Sequence, residues 1–235
     1  MVKHVLLNNI DHKDLRINTV RSKALGDNVM SCAAYYPEFR NLQAHYPIVF
    51  SKNANTGEVL PVALLGLTQG ENLFLTADGW DTDYVPMTLE MQPFLIGFDG
   101  QSGNARQTVI HVDIESPRIS EQGEAVFLPM GGISPYLERV TDILSQVHSG
   151  FEYNPEFIAA LEKHNLLEPF ALDVELEDGS VNRLAGFHTI NEEKLYALGG
   201  QTLGELNEKQ FLQAIFMVVA SMSNFTDLII RKMQR

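Results

Sequence analysis

The chain has 235 residues, 45% of them hydrophobic, and carries 17 Lys and Arg against 30 Asp and Glu, a formal net charge of -13. A chain of this length and apolar content can bury a core without disulfide or metal staples, which excludes an intrinsically disordered protein. Its negative charge repels nucleic-acid phosphates and anionic lipids, so the sequence predicts no nucleic-acid partner.

The cysteine content and the lengths of the apolar segments indicate where in the cell the protein is located. Cys32 is the only cysteine, and it lies in an apolar stretch where a buried, unreactive thiol is expected. Residues 1–9 have too short an apolar core for a secretory signal. The most apolar later segment, 211–225, falls short of the roughly 20 apolar residues of a spanning helix. The sequence therefore predicts a cytoplasmic protein with no membrane span.

The N-terminal half, residues 1–130, has the pattern of short strands and turns. Continuous apolar runs bounded by turn residues are typical of strands in a buried sheet. These runs predict strands at 46–50, 59–67, 93–98 and 108–112, with a short helix at 86–91. The first two strands are expected to form a hairpin with a longer loop, and the last two to be joined across residues 99–106.

The C-terminal half, residues 131–235, begins with helical periodicity. Ser134 and Pro135 are typical of a helix start, Gly150 is a plausible stop, and Asn154 begins a second helix. After these helices the pattern predicts a hairpin over 170–190 with its turn at 177–180, and a short helix over 192–198 capped by Asn191.

The last helix is predicted over residues 207–233. Its apolar stripe is wide enough to indicate a helix that is buried on most sides, or one that also contacts a protein partner or a second copy of the chain. The whole pattern predicts one α+β domain over residues 1–235, with an antiparallel β-rich half, a helical half and an inserted β-hairpin.

The order of motifs resembles that of the bacterial SapC-like family from about residue 40 onward. The blocks that carry the resemblance are Tyr46-Pro47-Ile48-Val49-Phe50, Pro61-Val62-Ala63-Leu64-Leu65-Gly66-Leu67, Gly70-Glu71-Asn72-Leu73-Phe74, Trp80 with Tyr84, Pro93-Phe94, Asp113 with Ser116-Pro117-Arg118, Gly123-Glu124, Leu166-Leu167-Glu168-Pro169, and Ser221 with Asn224 and Leu228. The resemblance implies a surface-layer-related or nutrient-uptake role, and it supplies no catalytic residue set.

One pattern favours metal chemistry. His111 and Asp113 are two apart on a predicted strand and therefore share a face. They could supply two ligands of a facial iron site, with His188, or else His148 or His164, as the third. The alternative is an exposed histidine beside a structural aspartate at a strand end.

A second pattern favours ligand binding. Asn72, Trp80 and Tyr84 could form the floor of a site for a sugar or a peptide, although core aromatics would have the same pattern. Ser221 and Asn224 share a face of the last helix and either bind a ligand or satisfy buried backbone groups.

The sequence thus leads to one principal functional hypothesis and two alternatives. The principal hypothesis is a non-enzymatic accessory or interaction protein without a cofactor. The alternatives are an iron-dependent, oxygenase-like enzyme that uses the His111–Asp113 pair, and a protein that binds a small sugar or peptide.

Overall fold

The computed structural model describes residues 3–99, 107–175, 179 and 181–235. The strands are β1 (His4–Leu6), β2 (Arg16–Ile17), β3 (Ser31–Ala33), β4 (Ile48–Lys52), β5 (Val59–Leu64), β6 (Leu75–Thr76), β7 (Gly79–Trp80), β8 (Phe94–Asp99), β9 (Gln107–Asp113), β10 (Ile119–Ser120), β11 (Glu124–Ala125), β12 (Leu167–Glu175) and β13 (Val181–Ile190). The helices are α1 (Phe39–Leu42), α2 (Met87–Glu90), α3 (Pro135–Lys163), α4 (Glu192–Tyr196), α5 (Gly200–Glu208), α6 (Phe211–Ser221) and α7 (Phe225–Met233). The paired strands are antiparallel, and the predicted α+β class is confirmed.

The largest sheet has five strands in the order β12-β13-β4-β5-β3. Strands β4 and β5 form the predicted hairpin, and β13 pairs with β4 through Phe187 with Ser51 and His188 with Phe50. The predicted C-terminal hairpin therefore extends the sheet of the N-terminal half. Most of its predicted turn, 177–180, lies outside the described residues, as does most of the connection 99–106.

A second, three-stranded sheet has the order β1-β9-β8. This sheet and the first turns of α3 enclose a smaller apolar cluster. Its members include Phe94, Val112 and Leu137. The larger cluster is formed by the five-stranded sheet, the second part of α3 and α6. Helix α3 thus contributes to both clusters and lies alongside the candidate site described below.

The predicted break in α3 is wrong. The helix runs for 29 residues through Gly150 and Pro155. A Cβ atom at Gly150 would lie 2.5 Å from Cβ of Tyr35 and 3.1 Å from Cδ of Pro37. This glycine therefore permits a close approach of the segment that precedes α1, and it does not end the helix.

The predicted last helix is shorter and interrupted. It begins at Phe211, because Gln210 has a left-handed backbone with φ of 62°, and α6 and α7 are joined by a 3-10 turn, Met222–Asn224. An 18-residue window within Phe211–Met233 has a mean hydropathy of 1.4, so this segment is long and apolar enough to cross a membrane by length and composition alone. Phe211 and Val218 are buried in the larger core. The absence of a membrane span stays a prediction.

Candidate functional site

A partly open cavity of about 160 Å³ lies between α2, the first turns of α3 and two loop segments. We call it the arginine cavity. Its polar walls include Arg21, Arg118, Arg139, Tyr136, Glu90 and Gln92. In a chain with a formal net charge of -13, three guanidinium groups around one small cavity are a local reversal of charge.

Three chain segments bring these arginines together. Arg21 precedes β3, Arg118 lies between β9 and β10, and Arg139 is in the second turn of α3. The start of α3 is fixed by Ser134, whose hydroxyl accepts a hydrogen bond from the backbone N–H of Leu137 at 3.1 Å. That cap sets the direction in which Tyr136 and Arg139 leave the helix.

A buried carboxylate holds two of the arginines in place. Oδ1 of Asp27 lies 2.5 Å from Nη2 of Arg118 and 3.3 Å from Nη1 of Arg21. Its Oδ2 accepts from the backbone N–H of Ser22 at 2.8 Å. Asp27 is fully buried, so its charge is compensated by the two guanidinium groups, as a buried carboxylate requires.

Arg118 retains unused hydrogen-bonding capacity. Its side chain is 1% exposed, and Nη1 donates to the backbone carbonyls of Asn18 and Val20. Its Nε is buried and has no hydrogen-bond partner within the described part of the chain. Burial lowers the pKa of the Arg118 guanidinium and Asp27 opposes that shift, although an arginine keeps its charge at neutral pH. A buried donor without a partner costs free energy unless a bound group satisfies it.

The hydroxyl of Tyr136 lies in the field of all three arginines. Burial raises the pKa of Tyr136 to about 12, and Arg21, Arg118 and Arg139 each oppose the shift. The phenol is therefore neutral at physiological pH and can donate a hydrogen bond. In the described part of the chain, the guanidinium of Arg139 has no ion pair and lies 5.9 Å from the Tyr136 ring centroid.

These groups are suited to holding an anion. Guanidinium groups bind carboxylate or phosphate oxygens through paired, charge-assisted hydrogen bonds. The walls carry three positive groups against Glu90, with Asp27 behind them. A volume of about 160 Å³ is similar to that of a cavity that admits benzene, so it can accommodate a small carboxylate or a single phosphate.

Comparison with known proteins identifies the family. A family model described as SapC matches residues 7–228. The chain belongs to the SapC family. No curated protein and no solved structure matches it significantly. In this SapC protein, the arginines and Tyr136 of the cavity all lie within the matched region.

The structure of the SapC protein does not bring the proposed iron ligands together. His111 and Asp113 lie on β9, whereas His188 lies on β13 in the other sheet. Oδ1 of Asp113 accepts from the backbone N–H groups of Lys3 and Glu115 at 3.1 Å each. Within the described ranges, no three His, Cys, Asp or Glu side chains are grouped to hold a metal. His148 lines an apolar cavity on α3, and His164 is at the end of that helix.

Asn72, Trp80 and Tyr84 use their polar groups within the protein. Asn72 is fully buried and donates to the backbone carbonyl of Asp27 at 2.7 Å, so it supports the loop behind the arginine cavity. Nε1 of Trp80 donates to the hydroxyl of Tyr46 at 2.9 Å. The hydroxyl of Tyr84 donates to Oε2 of Glu38 at 3.1 Å.

Glu38, which accepts the hydrogen bond from Tyr84, is fully buried. Its carboxylate also accepts from the backbone N–H groups of Met87 and Tyr35, at 2.9 and 3.3 Å. Burial raises the pKa of Glu38 to about 7, and these three hydrogen bonds limit the rise. The carboxyl therefore exchanges its proton near neutral pH.

Ser221 and Asn224 bond to backbone groups. Oγ of Ser221 accepts from the N–H of Ile48 at 2.9 Å and donates to the carbonyl of Val218 at 2.6 Å. Nδ2 of Asn224 donates to the carbonyl of Gln43 at 2.9 Å. Ser221 thus attaches α6 to the first residue of β4, and Asn224 attaches the 3-10 turn to the segment before β4. The same helices expose Phe216, and contact with a partner or a second copy stays a prediction.

Sequence reasoning missed the arginine cavity. Arg21, Arg118 and Arg139 are far apart in the chain, and no spacing rule connects them. The available signal was Arg118 itself, which stands in a block that resembles the family, in a chain with only 17 Lys and Arg. An arginine in such a block of an acidic protein is a reasonable candidate for anion binding.

Proposed function

We propose that this SapC-family protein is a non-enzymatic accessory protein that binds a small organic or inorganic anion in the arginine cavity. The observation that supports this most directly is the convergence of the guanidinium groups of Arg21, Arg118 and Arg139 on one small cavity. Binding of an anion would place acceptor oxygens among these cationic donors. The accessory role, in cell-surface or nutrient-uptake functions, follows from the family resemblance.

The charges favour an anion over a neutral ligand. Asp27 is shared between Arg21 and Arg118, and Arg139 has no carboxylate partner in the described ranges. A neutral sugar would form no ion pair with Arg139, which is exposed to solvent, whereas a carboxylate or phosphate would pair with it directly.

Calorimetric titration at fixed ionic strength tests the proposal. Acetate and phosphate are each titrated into the wild-type protein, and acetamide serves as the neutral analogue of acetate. We expect saturable binding of at least one anion and none of acetamide. Arg139→Gln should weaken anion binding by at least about tenfold, because a charge-assisted hydrogen bond is lost.

Arg183→Gln is the matched control, since Arg183 is 68% exposed and pairs with the exposed Asp173 on the sheet. It should bind the anion as the wild type does. The proposal fails if neither anion binds, or if Arg139→Gln and Arg183→Gln behave alike. Recovery of a chemically altered anion after incubation would contradict the non-enzymatic part.

A further inference from the structure

A second cavity of about 220 Å³ lies beside the arginine cavity. We call it the apolar cavity. Its apolar walls include Tyr35, Met91, Phe98, Leu144, Val147 and Phe151. Phe98 is 54% exposed and Phe151 is 61% exposed. Two phenylalanines that flank one cavity and leave half or more of their surface in water provide apolar area that a ligand could cover.

The two cavities have walls from the same elements. Met91 lines the apolar cavity, while its neighbours Glu90 and Gln92 line the arginine cavity. On α3, Ile143 lines one cavity and Leu144 lines the other. At a rise of 1.5 Å per residue, the centres of the two α3 stretches are about 12 Å apart along the helix axis.

The chemistry of the two cavities is complementary. Among the residues that the structure describes, the walls of the apolar cavity contain no lysine, arginine, aspartate or glutamate, and their one imidazole belongs to His148, 3.9 Å from Glu152. An anion therefore has no fixed positive partner there, whereas a hydrocarbon group does find apolar contacts. The arginine cavity offers the reverse, with three cations and few apolar contacts.

We infer that the ligand is an amphipathic carboxylate, whose carboxylate binds in the arginine cavity while its aliphatic or aromatic body contacts Phe98 and Phe151 in the apolar cavity. This inference rests on the proposed function and names its ligand class. Because the adjacent residues Ile143 and Leu144 line the two cavities, an eight-carbon chain extends from the first cavity into the second, whereas acetate would fill the first cavity only.

The test compares octanoate, acetate and octanamide by calorimetric titration of the full-length protein. Octanoate should bind at least about tenfold more tightly than acetate, because burial of only two methylene groups gives that factor. Octanamide, which has the chain without the charge, should bind at least about tenfold more weakly than octanoate.

Two variants separate the cavities. Phe151→Ala should weaken octanoate binding by at least about fivefold and leave acetate binding unchanged. The matched control is Phe216→Ala, which removes a phenylalanine that is 47% exposed on α6 and should change neither affinity. Arg139→Gln should weaken octanoate and acetate together.

The outcomes distinguish failure of this inference from failure of the proposed function. If anions bind with dependence on Arg139 but octanoate is no tighter than acetate, or Phe151→Ala has no effect, the inference is wrong and the proposed anion site remains. If octanoate binds with no dependence on Arg139, or if neither carboxylate binds, the inference is wrong. Failure of both acetate and phosphate to bind would remove the proposed function as well.

Discussion

Oδ1 of Asp27 lies 2.5 Å from Nη2 of Arg118, and both side chains are buried, with 0% and 1% of their surface exposed. This ion pair joins the loop before β3 to the segment after β9. The side-chain amide of Asn72 also donates a hydrogen bond to the backbone carbonyl of Asp27. Three parts of the chain therefore fix the position of the pair.

Asp27→Asn should therefore destabilise the protein strongly. The variant keeps the shape of the side chain but leaves the buried Arg118 without a counter-charge, and such a loss costs about 3 to 5 kcal/mol. Urea denaturation followed by circular dichroism measures the free energy of unfolding. Asp173→Asn removes the carboxylate of the exposed pair with Arg183 and should cost less than about 1 kcal/mol. Equal losses in the two variants would contradict a buried, structural ion pair.

Glu38 should make stability fall as the pH rises. Its pKa is about 7 in the folded protein, against 4.5 for an ordinary glutamate side chain. Between these values the folded state holds a proton that the unfolded state has released, so stability is full below pH 4.5 and decreases up to pH 7. The decrease amounts to about 3 kcal/mol.

Denaturation at pH 5 and at pH 8 tests the role of Glu38. The free energy of unfolding of the wild type should decrease between these pH values by about 3 kcal/mol more than that of Glu38→Gln, which cannot ionise. The control Glu156→Gln replaces a carboxylate that is 72% exposed and should follow the wild type. The prediction is wrong if Glu38→Gln keeps the full dependence on pH.

Gly150→Ala should destabilise the protein although alanine favours helices. The added Cβ would lie 2.5 Å from Cβ of Tyr35, and such overpacking costs about 1 to 3 kcal/mol. Gly204→Ala in α5 is the control, since nothing lies within 4 Å of its added Cβ. That variant should gain up to about 1 kcal/mol from helix propensity. Thermal unfolding of both variants measures the difference, and a stabilised Gly150→Ala would refute the close approach.

Cys32 should resist thiol reagents in the folded protein. Burial raises the pKa of its thiol to about 12, and the thiolate is the reactive form. Labelling with a chromogenic disulfide at pH 8 should be at least about a hundredfold slower in buffer than in denaturing urea. Cys32→Ser should show no labelling in either condition, and rapid labelling of the native protein would exclude a buried thiol.

The local pattern of the sequence was sufficient for the hairpin of β4 and β5, the short helix α2 and the cap at Ser134. Each of these depends on neighbouring residues, where periodicity and turn chemistry dominate. The continuity of α3 through Gly150 could not be predicted, because its cause is a contact with Tyr35, more than a hundred positions away in the chain. The arginine cavity escaped prediction for the same reason, since its charges converge only after the β-rich half has folded onto α3.

The pairing of β13 with β4 has a consequence for synthesis on the ribosome. Residues 50 and 51 reach their partners only when residues 187 and 188 have emerged, so one side of β4 stays without its neighbour while most of the chain is translated. An unpaired strand edge is a template for association between nascent chains. Chaperone dependence of this protein should therefore be greatest for translation products that end before residue 187.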